Sequence, residues 1–374
     1  MPHRRRCRPE LPFRRAGAHA GLPSAADAGT SRIAPPGSAL RPTELAGVPV
    51  ETPLLGTEVG EGGPRRRVLV ALNPHSGMGA AEHLAEARRR ILERRSMQVE
   101  AIVPEEATPA ELAEACRAIA RSERLDAVIV HGGDGMVQLG VSLVAGTEVP
   151  LGIVPSGSGN DFARAMGIPR RNPADAIEAI LSGLEHPDAS IRAIDAIRVT
   201  VDGRRGWAAN SVNMGFDAEV NRRANELTRL RGTTRYVVAL AQSLRRLRAI
   251  PFRIGIDGAE PAISSHVLVA AMNGTSVGGG IRITPDADLA DGLLDLAMVR
   301  PVARKTLASF FPLAFAGMHR SLPFFEERRA RRLVVEVPAG VPIFADGEPL
   351  ATGGRVELEV VPAAWRLLRG AARG

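Results

Sequence analysis

The stretch from Asp126 to Pro169 restricts the fold more than any other part of the chain. It holds two short apolar runs, Ala127 to Val130 and Leu151 to Val154. Each ends in a glycine-rich turn carrying an aspartate, Gly132-Gly133-Asp134-Gly135 and Gly157-Ser158-Gly159-Asn160-Asp161. Runs of this length bounded by turns read as buried parallel strands. In an open α/β sheet the loops at the carboxyl ends of such strands gather at one edge, where ligands bind. Amides, hydroxyls and acids on those loops point to phosphate.

Around this stretch the chain divides into three. Residues 1–64 are rich in Arg, Pro, Ala and Gly and have no helical or strand periodicity, so they are expected to be a disordered basic tail. An Arg-rich leader or an arm that holds anionic membrane is the functional alternative to a solvated tail. Residues 65–188 alternate strand and helix. Val68 to Leu72 is a first buried strand, followed by the turn Asn73-Pro74-His75-Ser76-Gly77-Met78-Gly79, a helix through Leu84 and Leu92, and a strand from Met97 to Val103. Thr108 caps the next helix, with Glu111 in capping-box position and Cys116 on its apolar face. Helices at Val137–Val144 and Pro173–Leu184 complete an α/β domain with a parallel sheet and right-handed crossovers.

Residues 189–374 change texture. Alternating runs at Ile194–Val201, Trp207–Met214, Phe252–Ile256, His266–Met272, Leu293–Val299, Leu333–Val337 and Val356–Val361 predict an antiparallel β-rich domain. Helices at Thr233–Leu247 and Thr306–Met318 interrupt it, and Ala364 to Leu368 is a candidate to return to the first domain. A length of 374 residues with 45% apolar content is enough for two cores.

Composition narrows the chemistry. The net charge of +7 favours acidic partners, yet the single lysine is Lys305, which excludes a lysine-centred phosphate loop. Aromatic residues are 3% of the chain, too few for the stacking that nucleic-acid binding needs. Cys7 and Cys116 support neither a disulfide framework nor a thiolate metal site, so a reducing, cytoplasmic compartment is expected. No run of about 18 apolar residues is present to span a bilayer.

Three turns carry the chemistry. Asn73 to Gly79 stands where strand becomes helix, so its amides and the helix dipole suit phosphate; a dinucleotide fingerprint competes but fails at Glu82, where its third glycine would be. At Gly132 to Gly135 adjacent glycines permit close backbone approach, and Asp134 can orient Mg²⁺-bound phosphates, accept a proton from a hydroxyl, or only shape an Asx-turn. Pro155 to Asp161 adds hydroxyls and a second acid at the same edge. Downstream, Pro285 to Gly292 concentrates carboxylates suited to Mg²⁺, and Asp346-Gly347-Glu348 ends a strand with acids in a hairpin-like turn.

In their order, the segments NPHSG, GGDGM, PSGSGNDFARAMGIP, NMGFDAEV, GGG to DADLADG, and DGE resemble the diacylglycerol kinase-like lipid kinases, related to sphingosine, ceramide and NAD kinases. The resemblance covers roughly residues 65–370. It implies an N-terminal parallel α/β nucleotide-binding domain, a C-terminal antiparallel β-sandwich domain, and a cleft between them in which ATP phosphorylates a lipid hydroxyl. By motif, Asn73, Pro74, His75, Ser76 and Gly77 would bind ATP, as would Gly133, Asp134, Gly135, Met136, Val137, Gln138, Leu139 and Ser158. Asp288, Asp291 and the carbonyl of Leu293 match the family's magnesium position. Glu348 matches its proton acceptor, with Asp134 the rival. Met136, Gln138, Leu139, Ser158 and Val103 depart from the family's usual residues.

The reading implies a peripheral enzyme meeting its lipid at a membrane surface, and it is compatible with a homodimer. Thr306–Met318, uncharged and flanked by Arg304, Lys305, His319 and Arg320, suits an interfacial segment or a core helix broken by Pro312. Thr233–Leu247, with Arg235, Arg245 and Arg246, suits anionic lipid or a core helix with a solvated basic face. The rivals are a pseudokinase, motivated by Met136 and Leu139, an NAD kinase-like enzyme, and a serine hydrolase using the Gly274-Thr275-Ser276-Val277-Gly278 sequence with Asp291 and His319.

Overall fold

The computed structural model describes residues 66–72, 99–102, 108–157, 159–170, 172–227, 230 and 232–369. The tail 1–64, the turn Asn73 to Gly79, Val103 and Ser158 therefore lie outside the described residues.

Strands β1 (Arg66–Leu72), β2 (Val99–Ile102), β3 (Ala127–Gly132) and β4 (Pro150–Pro155) run parallel in the order β4-β3-β1-β2. Both β3 and β4 are buried at every residue, as expected of strands covered on two faces. The connecting helices are α1 (Pro109–Ser122), α2 (Asp134–Val144), α3 (Asp161–Ala165) and α4 (Pro173–Glu185). On one face Leu112 and Cys116 of α1 and Val137, Val141 and Val144 of α2 pack on Leu69, Val128, Val130 and Leu151. On the other, Ile177, Ile180, Leu181 and Leu184 of α4 pack on Val68, Val70, Ile129 and Val154. Helix α1 opens on the expected capping box, with both Thr108–Glu111 hydrogen bonds formed. Helix α2 starts at Asp134, three residues earlier than its apolar pattern suggests, so the GGDG aspartate belongs to the first helical turn.

A single-turn α5 (Pro187–Ser190) leads into β5 (Ile191–Val201), β6 (Arg204–Ala208) and β7 (Ser211–Gly215). Helices α6 (Phe216–Glu226) and α7 (Gly232–Leu244) follow, then β8 (Ile250–Ile256), β9 (Ala262–His266), β10 (Leu268–Met272) and β11 (Leu294–Val299). Helix α8 (Arg304–Ala316), β12 (Phe325–Ala330), β13 (Arg332–Ala345) and the 21-residue β14 (Glu348–Leu368) complete the chain. The antiparallel path runs β12-β11-β10-β7-β13-β14, with β5–β6 and β8–β9 branching from it. Their inward residues, among them Ile197, Val199, Phe252, Leu296, Leu333, Val335, Val356 and Leu358, form one core, as the facing layers of a sandwich do.

Strand β14 joins the two halves. Val356 to Val361 pair antiparallel with β5, a bend at Pro362–Ala364 follows, and Arg366–Leu368 then lie parallel to Pro150–Gly152 of β4. Asp195 holds the bend. Its carboxylate accepts the backbone amides of Ala363 (2.8 Å) and Gly292 (2.7 Å), and its carbonyl accepts the indole N–H of Trp365 and the side-chain Nδ2 of Asn273.

Several elements differ from the sequence pattern. The run Trp207–Met214 is two strands, broken at Ala209-Asn210, and His266–Met272 breaks at Val267. Strand β12, FEERRA, carries charges at the sheet edge, where they discourage pairing with another chain and hide the apolar alternation. Helix α8 passes through Pro312 unbroken. Leu307, Phe310 and Ala314 are buried, whereas Phe315 and Met318 are exposed. No described helix is long and apolar enough to cross a membrane.

Burial pushes Asp217, at the start of α6, up to about 7. A carboxyl whose folded value is raised penalises the folded state once ionised, so that penalty grows as pH rises from about 4 to about 7 and is constant above. Replacing Asp217 by Asn keeps an acceptor for the Ala218 amide. The variant's melting temperature relative to wild type is therefore expected to rise across that interval, which thermal unfolding at pH 5 and pH 8 checks directly.

Candidate active site

Gly132 ends β3 and Pro155 ends β4, so the turns that follow them emerge side by side. They touch: a Cβ on Gly157 would stand 2.4 Å from the Cα of Gly133, so no larger residue fits without moving backbone. Gly133 leads into α2 without a side-chain cap, which leaves the first amides of this eleven-residue helix facing outward. Such an end attracts anions through its N–H groups and its dipole.

Asp134 sits in that first turn. Its Oδ1 accepts the amide of Phe162 at 3.2 Å, fixing the carboxylate between the two turns. Burial first and the charge of Asp161 second raise it above the ordinary aspartate value, and the Phe162 amide opposes them. Asp161 ties this edge to the β-rich half. Its Oδ1 accepts Ser276 Oγ (3.0 Å) and Arg164 (2.6 Å), and its Oδ2 accepts the amide of Gly279 (2.7 Å).

The third component is the β13–β14 hairpin. Asp346 (φ 51°) and Gly347 (φ 85°) form its two-residue turn, both left-handed as a type I′ connection requires. The Asp346 carboxylate accepts three consecutive amides, Ala209 (2.6 Å), Asn210 (2.8 Å) and Ser211 (2.8 Å), which is why the Trp207–Met214 run breaks there. Burial pushes Asp346 up to about 6, against those three donors. Glu348 follows, and its Oε1 lies 3.2 Å from where a Cβ on Gly135 would be, so it reaches the α2 terminus. Partial burial raises the Glu348 carboxyl, while the charge of Arg235 draws it down.

These groups share one cleft of about 1280 Å³. Gly133 to Leu139, Ser156, Gly157, Gly159 and Asp161 form one wall, and Asn210, Ser211, Asn213, Asp346 and Glu348 the facing one. Met136, Val137 and Leu139 belong to the α/β core, so these positions offer the cleft mainly their backbone. The hydroxyl absent at Met136 is replaced by core packing.

The comparisons with known proteins place this geometry. Residues 67–193 match the family model "Diacylglycerol kinase catalytic domain", and residues 210–369 match "YegS C-terminal NAD kinase beta sandwich-like domain". A protein of Mycobacterium tuberculosis named diacylglycerol kinase is 38% identical over 304 residues, covering 81% of this chain and 95% of that protein. The chain belongs to the diacylglycerol kinase-like lipid kinases. A probable lipid kinase YegS-like protein of Stenotrophomonas maltophilia is 29% identical over 253 residues, 65% of this chain and 78% of the other. The fold is that of a crystal structure from Bacillus anthracis described as a putative diacylglycerol kinase, with TM-score 0.64, 22% identity, and 82% and 98% of the two chains covered.

Of the positions this lipid kinase family suggests, the structure brings Gly133 to Leu139 and Glu348 together. Asn73, Pro74, His75, Ser76, Gly77 and Ser158 fall outside the described residues. Asp288, Asp291 and Leu293 do not line the cleft. Asp288 accepts the Ala290 amide and stands 3.5 Å from Arg192, while Asp291 accepts the Leu293 amide and pairs with Arg329. Both acids thus face arginines in this structure.

The hydrolase constellation does not assemble. Ser276 gives its hydroxyl to Asp161, and His319 is buried with Nε2 2.9 Å from the Ile283 carbonyl. Sequence reasoning noted Asp161 and Asp346 as acids of their turns without giving either a role of its own, and passed over Asn213, Asn221 and Asn225 of the cleft lining. The last two are four apart on α6, and that spacing was the signal available.

Proposed function

We propose that this chain is an ATP-dependent kinase that transfers the γ-phosphoryl group to the hydroxyl of a lipid at a membrane surface. The observation that carries it is the meeting of an uncapped helix terminus, at Gly133-Asp134-Gly135, with the carboxylate of Glu348 across the same cleft. The amides opening α2 hold phosphate oxygens, and the glycine contact at Gly133 and Gly157 keeps the approach clear of side chains. Glu348 accepts the proton of the acceptor hydroxyl while the hydroxyl oxygen bonds to the γ-phosphorus. The bond from that phosphorus to the β–γ bridging oxygen breaks, and ADP leaves.

The Asp134 carboxylate offers a hard oxygen that fits Mg²⁺ accompanying the triphosphate, and the ion would neutralise charge on the phosphates. The relative named diacylglycerol kinase supports a lipid acceptor.

The test is labelled ATP with Mg²⁺ and a panel of purified lipids carrying free hydroxyls. Wild type is expected to label lipid. Asp134→Asn is expected to lower kcat/KM by about 10²-fold or more, with a raised Mg²⁺ requirement. Labelling of no lipid by wild type, or undiminished labelling by Asp134→Asn, would remove this assignment.

A further inference from the structure

Among the described residues two arginines line the cleft, and they differ. Arg117 has Glu114 at 3.6 Å. Arg235, on α7, has no carboxylate in ion-pair range among the described residues, and its Nε is shielded from solvent without a hydrogen-bond partner. Its guanidinium carbon lies 5.3 Å from the centroid of the neighbouring Tyr236 ring. Its charge reaches Glu348 across the cleft, but no carboxylate among the described residues takes its fork of donors, so it is half of a bidentate site.

The surroundings indicate what the other half is. Asn213 of β7 is 2% exposed, lines the same cleft, and has Oδ1 without a partner. Asn221 and Asn225 come from one side of α6. Neutral amides suit hydroxyl and ester oxygens. Leu350 (38% exposed) lines the cleft two residues after Glu348, so apolar surface is open to solvent on that wall. A neutral glycerolipid would leave the Arg235 cation unpaired and partly desolvated when it filled the cleft, whereas a phosphodiester would satisfy it.

Resting on the kinase reading above, we propose that Arg235 is the residue that selects the acceptor, and that the acceptor is an anionic phospholipid with a free hydroxyl on its headgroup. The headgroup phosphate lies on Arg235, and the hydroxyl beyond it reaches Glu348. The transferring phosphoryl group is the other phosphate Arg235 could meet, and kinetics separate the two.

The experiment compares dioleoylphosphatidylglycerol with dioleoylglycerol as acceptors in uncharged mixed micelles, for wild type, Arg235→Gln and Arg235→Lys. Wild type is expected to favour the anionic acceptor by roughly tenfold or more in kcat/KM. Arg235→Gln is expected to lose that preference through KM for the lipid, with KM for ATP holding, and Arg235→Lys to recover part of it. Preference for the neutral lipid by wild type, or a ratio unaltered in Arg235→Gln, overturns the assignment while leaving the kinase reading intact. So does an equal loss on both acceptors with a raised KM for ATP, which would put the arginine on the γ-phosphoryl group. Phosphorylation of neither lipid nor any other by wild type removes both readings together.

Discussion

Replacing Glu348 by Gln is expected to lower kcat about 10²–10⁴-fold, the range seen when a general base is lost. The substitution keeps size and polarity and removes only the capacity to take a proton. Glu348, at the start of β14, is open to solvent as a residue and only its carboxyl end is partly enclosed by the cleft, so the variant should fold as wild type, within about 0.5 kcal/mol. Because the base acts when ionised and its carboxyl is raised, activity falls as pH drops through a value above the ordinary 4.5 for glutamate. That acid limb belongs to wild type and should be absent from the residual rate of the variant. KM for ATP is expected to hold, which separates Glu348 from Asp134, whose loss acts through the nucleotide and its magnesium. A kcat within about threefold of wild type would put the base elsewhere, with Asp134 the next residue to test.

The legible parts of the fold were those in which local pattern and burial agree. Strands β3 and β4 are apolar at nearly every position because they are covered on both faces, and α1 announces itself with Thr108 and Glu111. Strand β12 was unreadable because its charges serve the sheet edge. The break at Ala209-Asn210 is imposed by Asp346, and nothing within the run itself marks it. Asp161 is similar, because it meets Ser276 and Gly279 only after the β-rich half has folded against the first sheet. The cleft was legible as motifs but not as walls. Glycine turns imply close approach, yet only the assembled structure shows that Gly133 is held against Gly157 and Gly135 against Glu348. At Met136 sequence logic looked for a lost hydroxyl, and the side chain instead fills the core.

Asp346→Ala is expected to damage stability and catalysis together. The carboxylate satisfies the buried amides of Ala209, Asn210 and Ser211, and alanine leaves all three without an acceptor. A stranded buried donor costs about 1–3 kcal/mol, so a loss of about 2 kcal/mol or more follows even if one amide finds water. Alanine also sits poorly at φ 51°, where aspartate and asparagine are better tolerated. Asp346→Asn retains one acceptor oxygen and the left-handed preference, so its loss should be clearly smaller. The hairpin that Asp346 anchors carries Glu348 two residues on, and the amides it holds begin β7, which lines the cleft with Ser211 and Asn213. Loosening that anchor lets the base drift from the α2 terminus, and misplacement of about 1 Å is enough to cost about 10²-fold in rate. Denaturant midpoints of the two variants, read beside kcat at a temperature where both stay folded, test the argument. If Asp346→Ala unfolds with the wild-type midpoint, the three amides have another acceptor. If it is destabilised but fully active, Glu348 is positioned by something other than this hairpin.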